Sequence, residues 1–270
     1  MGIQKRSIII CADDYGLNHS VNDGIIKLVA AKRLSAVSCM TNSPIWLPAA
    51  ERLKSYLNKV NVGLHFNLSH DFGNNKFKSL NSLIVECLLR RADKQWIIEE
   101  LNTQLDYFEQ AFGCPPDFID GHHHVHIFPQ IRQVLFDVLE ARYGSDKKIW
   151  LRRVNPKLVQ HDAQLKAILL RILAYNFERA ATAAKYQLSG NFAGLYSLRF
   201  KADYETLMKK WLLDSEDQTL IMCHPGLYSE GQYQDESDRV RNKEYIFLQS
   251  TEFASMLAVN NIAIDKLNIS

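Results

Sequence analysis

Short, continuous apolar runs alternate with longer segments of helical periodicity along nearly the whole chain, and this alternation restricts the fold more than any other feature. Residues 7–12 (SIIICA) are apolar almost throughout and rich in isoleucine, as suits a strand buried on both faces. Residues 21–32 follow with Val21, Ile25, Leu28 and Val29 at helical spacing. Further strands are expected over 35–41, 60–68, 117–122, 149–154, 219–223 and 262–267. Helices are expected over 48–57, 95–112, 130–143, 163–184, 204–213 and 245–259. Parallel strands need long crossovers, and helices supply them, so the pattern predicts an α/β fold built on a parallel sheet. About seven strands in 270 residues suit a single-domain (β/α) barrel, incomplete or distorted. A doubly wound open sheet would usually carry a glycine-rich phosphate loop after its first strand, and ADDYGLN is not one.

Two stretches break the alternation. Residues 72–94 are polar and Asn/Lys-rich and read as a loop. Residues 155–200 hold one helix and an irregular aromatic-rich stretch, suited to a lid or an oligomer contact. No linker or repeat divides the chain, so residues 1–270 read as one domain.

The formal net charge of +2, from 32 basic and 30 acidic residues, argues against a nucleic-acid partner. No apolar run approaches the roughly 18 residues needed to cross a bilayer, so membrane insertion is not expected. Residues 1–6 lead straight into the first strand with no visible signal peptide. Cys11, Cys39, Cys87, Cys114 and Cys223 are odd in number, well separated, and form no CxxC pair. They read as small, mostly buried hydrophobes of a protein in the reducing cytoplasm.

The chemistry-bearing residues gather at the C-terminal ends of the expected strands, which share one face in a parallel barrel. They are Asp13-Asp14, His65, Asp120 with the cluster His122, His123, His124 and His126, Arg152-Arg153, and His224. Adjacent carboxylates repel, so Asp13-Asp14 call for a cation or donor; one can bind a metal while the other handles protons. The competing reading is a turn or helix N-cap. Histidine is a common ligand for zinc and similar metals. An extended chain would put His122, His124 and His126 on one side, with one or two as ligands. His65, between Leu64 and Phe66, would by itself suit a core position. Beside a carboxylate pair and a histidine cluster it reads as a ligand. His224 precedes Pro225-Gly226, a turn able to present its ring. Arg152 or Arg153 could hold a catalytic carboxylate, or pair at the surface. Tyr15, Trp46, Phe66, Phe128 and Tyr228 flank these motifs, and core packing is the default reading for most of them.

The segments IIICADDYGLNHSVNDGI, VGLHFNL, DFIDGHHHVHIFPQI and LIMCHPG, in this order, resemble the YdjC-like carbohydrate deacetylases, the family that includes chitooligosaccharide deacetylase. That family is distantly similar to the NodB-type polysaccharide deacetylases, which use an Asp-Asp pair and two histidines on a (β/α)7-like barrel. The resemblance implies a metal held by Asp14, His65 and His122, with Asp13 as general base and His224 as general acid. For the arginine that holds a catalytic carboxylate, LRRVNP aligns less cleanly and could place either Arg152 or Arg153 in the role; Arg152 is the preferred reading. The resemblance implies one divalent cation, Zn²⁺ or Mg²⁺ first, with Mn²⁺ or Co²⁺ tolerated. The implied reaction removes an N-acetyl group from a small acetylated saccharide, releasing acetate, and a homodimer fits the family. Family members often carry Phe where Tyr15 stands, and residues 155–200 match no family pattern. Rival readings are a phosphoesterase or amidase, a non-haem iron oxygenase, and a catalytically silent sugar-binding relative.

Overall fold

The computed structural model describes residues 5–73, 77–144, 148–157, 164–229 and 231–268. Its strands are β1 (Arg6–Tyr15), β2 (Ala36–Cys39), β3 (Asn61–Phe66), β4 (Phe118–Gly121), β5 (Trp150–Leu151), β6 (Phe192–Ala193), β7 (Thr219–Cys223) and β8 (Ile262–Ile264). They pair in parallel in the order β5-β4-β3-β2-β1-β7-β6, a curled sheet of seven. Ile8 pairs with Thr219 of β7 and with Ile264 of β8, so β8 lies on the opposite edge of β1 from β7. Isolated bridges Leu151–Leu188 and Pro156–Phe192 continue the curl from the β5 side toward β6. The result is the expected distorted (β/α) barrel.

The helices are α1 (His19–Ala30), α2 (Trp46–Lys54), α3 (Leu80–Leu88), α4 (Lys94–Phe112), α5 (Pro129–Tyr143), α6 (Gln164–Ala183), α7 (Tyr204–Leu213), α8 (Glu236–Gln249) and α9 (Thr251–Val259). Side chains of β1 alternate between two apolar clusters, with Ile9 and Cys11 in one and Ile8, Ile10 and Ala12 in the other. That double burial is why the strand contains no polar residue between Ser7 and Asp13. The end signals of α4 act as their chemistry requires. Asp93 accepts the Trp96 N–H at the N-terminus, and Gly113 takes a left-handed φ of 72° at the C-terminus.

Several expectations need correction. The polar stretch 72–94 is not all loop: Ser79 caps α3, which turns Leu83 and Cys87 inward. Its Asn/Lys-rich approach masks that short apolar spacing. The stretch 155–200 contains α6 and the two-residue β6. Ala163, expected as the helix start, lies outside the described residues. The single helix expected over 245–259 is two helices. Ser250 ends α8 and caps α9 by accepting the Phe253 N–H. The earlier half of α8, ESDRVRNKE, is too polar to show a helical stripe. Tyr15, Trp46, Phe66, Phe128 and Tyr228 are all buried.

Candidate active site

The site is built where β1 breaks its register. Ala12 pairs with Val37 but Tyr15 pairs with Cys39, so β1 holds one extra residue there. Asp14 absorbs the bulge with a left-handed φ of 68°, a conformation that Asp tolerates better than most residues. The turn that follows is pinned on several sides. Leu17 N–H donates to the Asp14 carbonyl at 2.9 Å, and Gly16 N–H donates to Asn22 Oδ1 at 2.6 Å. Gly16 has φ 104°, and a Cβ there would lie 2.8 Å from the Met40 carbonyl oxygen, so a side chain is excluded.

The bulge sends the two carboxylates to different partners. Asp13 meets Arg152 through two bonds, Nη1 to Oδ2 and Nη2 to Oδ1, each 2.6 Å. Asp14 Oδ1 lies 3.2 Å from His65 Nε2 and 3.0 Å from His122 Nδ1. One donor atom from each of Asp14, His65 and His122 falls within 4.8 Å of the others. His65 Nδ1 sits 2.6 Å from Asp120 Oδ1, which also accepts the Ser38 hydroxyl at 2.5 Å. A proton on Nδ1 therefore bonds Asp120, leaving Nε2 to face Asp14. One carboxylate and two imidazoles, with the ring of His65 oriented from behind, fit a divalent cation of borderline character.

The electrostatics follow from burial and pairing. Burial would raise the Asp14 carboxyl, but Arg241 and His122 overcome it and hold it well below the ordinary carboxylate value. Burial would likewise raise Asp120, yet Arg152 and His65 bring it down to about 2. Burial would lower His65, but Asp120 and Asp13 push it up to about 10. Desolvation takes His224 the other way, down to about 4.

Asp13, Asp14, His65, His122 and His224 line one cavity of about 390 Å³. Two larger clefts, about 560 and 490 Å³, contain none of these residues. Arg152 is fully buried and lies behind Asp13, not in the cavity wall. It also pairs with Asp120, so it bridges two carboxylates. Arg153 instead approaches Glu178 at 3.7 Å.

The histidine run does not stay extended. It forms a tight 3-10 turn in which His123 and His124 take left-handed φ values of 53° and 60°. The single-sided placement that an extended chain would give is therefore absent. His123 Nδ1 lies 2.9 Å from Ser69 Oγ, His124 packs edge-on to Phe192, and buried His126 bonds the Arg152 carbonyl at 3.1 Å. The stretch 155–200 contributes Gly194, Leu195, Tyr196 and Leu198 to the cavity.

Sequence reasoning missed three contributors. Arg241 Nη2 lies 2.5 Å from Asp14 Oδ2. Glu244 is fully buried and accepts the His224 backbone N–H. His70 lines the cavity with its ring 5.9 Å from that of His122. Arg241 and Glu244 sit in the charged run ESDRVRNKE, which shows no helical stripe, so no local signal sets them apart.

The profile of the YdjC-like protein family matches residues 7–259. The chain belongs to the YdjC-like family. Two curated relatives of this YdjC-like chain are named chitooligosaccharide deacetylase. One, from Proteus mirabilis, is 33% identical over 152 residues, covering 54% of this chain and 58% of the relative. The other, from Yersinia pestis, is 33% identical over 169 residues, covering 60% and 64%. The matched stretch thus spans less than two thirds of either relative. A crystal structure described as that of a "putative cellobiose-phosphate cleavage protein" from Enterococcus faecalis superposes with a TM-score of 0.71. At 19% identity, over 97% of this chain and 98% of that one, it shares the YdjC-like chain's fold. Among the described residues no helix is long and apolar enough to cross a membrane.

Proposed function

We propose that this chain is a metal-dependent carbohydrate N-deacetylase, hydrolysing the N-acetyl group of an acetylated amino sugar or chitooligosaccharide and releasing acetate. One observation carries the reading. The donor set Asp14, His65 and His122 shares a cavity with a separately held carboxylate, Asp13, and with the imidazole of His224. The names of the curated relatives point to the same chemistry.

Asp14, His65 and His122 would hold the cation, Zn²⁺ or Mg²⁺ first and Mn²⁺ or Co²⁺ as alternatives. Such a cation polarises an acyl carbonyl and makes water a stronger nucleophile. Asp13 accepts the proton of the attacking water. Its two bonds to Arg152 fix the carboxylate and keep it off the cation donor set. As the C–N bond breaks, His224 delivers a proton to the departing amine. Burial leaves the His224 ring neutral at rest. Negative charge developing in the cavity raises the ring's proton affinity, so it takes up a proton from solvent and passes it to the amine nitrogen, while Asp13 returns the water proton to solvent. The free cysteines suit a reducing cytoplasm as the working compartment.

The test is acetate release from a panel of N-acetylated sugars by wild type and His122→Ala, after chelation and after re-addition of single metals. Metal-dependent acetate from wild type alone is the expected result. No acetate from any sugar, with a cation demonstrably bound, rejects the reading.

A further inference from the structure

Glu244 is a fully buried carboxylate to which the reaction above assigns no part. Its Oε2 accepts the backbone N–H of His224 at 2.6 Å, and its Oε1 accepts the Tyr196 hydroxyl at 2.5 Å. Oε1 also lies 4.0 Å from the Nδ1 of His224. Pro225 has no N–H, so the handles on this turn are the amides on either side of it. Helix α8 takes both. Glu244 binds that of His224, and the Arg241 carbonyl accepts that of Gly226 at 3.0 Å. Asn242 Oδ1 accepts a third, from Tyr228, at 3.3 Å. Arg241 and Glu244 are three residues apart, so they share one face of the helix. From that face the Arg241 side chain reaches Asp14. A single helix therefore grips the turn carrying His224 and one carboxylate of the cation site.

We propose that Glu244 is a positioning residue for His224. Clamped by Tyr196, its carboxylate fixes the backbone from which the imidazole projects, while Arg241 on the same helix face fixes Asp14, so α8 sets the spacing between proton donor and cation site. An uncharged buried residue would anchor a turn at lower desolvation cost. A carboxylate is the group that can take two donors at once, a backbone amide and a phenol, in short charge-assisted bonds.

The kinetic consequence rests on the deacetylase reading; the contact itself does not. Burial pushes the Glu244 carboxyl up to about 7, so in metal-free wild type well above that pH the amide proton of His224 should resonate downfield, because its acceptor is then an ionised carboxylate at short range. Glu244→Gln supplies one acceptor oxygen for two donors, and the amide should shift upfield. In the acetate assay, Glu244→Gln should lower kcat at least about tenfold, a part of the roughly 10²–10⁴-fold that a positioned acid contributes. KM and Zn²⁺ affinity should stay at wild-type values, and Tyr196→Phe should lower kcat in the same direction by less. An unmoved His224 amide in Glu244→Gln overturns the proposal. So does wild-type kcat with the amide displaced, or a joint fall in kcat, Zn²⁺ affinity and melting temperature. If wild type releases no acetate from any sugar, the deacetylase reading falls and the amide shift alone decides the positioning role.

Discussion

Asp13 and Arg152, 139 residues apart, meet in a buried two-pronged ion pair with both N–O distances at 2.6 Å. The same guanidinium pairs with Asp120, and Asp120 in turn accepts from His65. The proposed base and a proposed cation ligand are thus oriented by one chain of buried charges. The cost of desolvating each is offset only while the others are present.

Asp13→Asn should therefore separate cation binding from turnover. Zn²⁺ binding by isothermal titration is expected to persist, because Asp14, His65 and His122 are untouched. Acetate release should fall by about 10²–10⁴-fold, the usual contribution of a general base. Wild-type turnover in this variant would remove Asp13 from the mechanism.

Removal of the carboxylate behind His65 should weaken the cation site. Asp120→Asn is expected to lower Zn²⁺ affinity about 10- to 100-fold, as is usual for partners that orient a ligating imidazole. In the metal-free protein Asp120 and Asp13 hold His65 up at about 10. Cation binding near neutral pH must then expel its proton. Titration heats should vary with the ionisation enthalpy of the buffer, and less so in Asp120→Asn. Buffer-independent heats in wild type would contradict a protonated His65.

The low value of Asp120, about 2, has a defined consequence for acid stability. An unfolded Asp titrates near about 3.9. Between those two values the unfolded chain binds more protons than the folded one, so stability rises with pH there. The contribution is complete above about pH 4 and is lost as pH falls toward about 2. Urea midpoints measured across this window should fall more steeply for wild type than for Asp120→Asn. Parallel curves would show that the pair does not survive in solution.

Gly194 packs a bare backbone against β7 at the cavity wall. Its φ is 96°, and a Cβ would lie 2.2 Å from the Met222 carbonyl oxygen. Gly194→Ala should cost about 1–3 kcal/mol through the backbone conformation alone, with the clash adding to it. Chemical denaturation measures this, and unchanged stability would mean that the segment can swing away from β7.

Much of this architecture is written locally. The apolar run 7–12 specifies a strand buried on both faces, and Asp93 and Gly113 mark the ends of α4 in a few residues each. Asp13, Asp14, His65, His122 and His224 stand out because polar groups immediately follow or interrupt apolar strands. Strand ends on one face of a parallel sheet bring them into one cavity. Such signals survive in sequence because periodicity and capping act between near neighbours.

The remainder depends on how the sheet curls. Whether Arg152 or Arg153 meets Asp13 is a question of which alternate side chain of one segment faces inward, and closure of the barrel settles it for Arg152. The fate of each histidine in the 122–126 run follows from a left-handed turn that alternation does not foresee. Arg241 and Glu244 carry no local mark in the sequence until α8 is laid against the His224 turn, where Glu244 is fully buried and Arg241 mostly so. A charged side chain carries no mark of its future partner. Its meaning changes only when folding removes it from water, and the chain folded around it, not its neighbours in sequence, determines which charge it then meets.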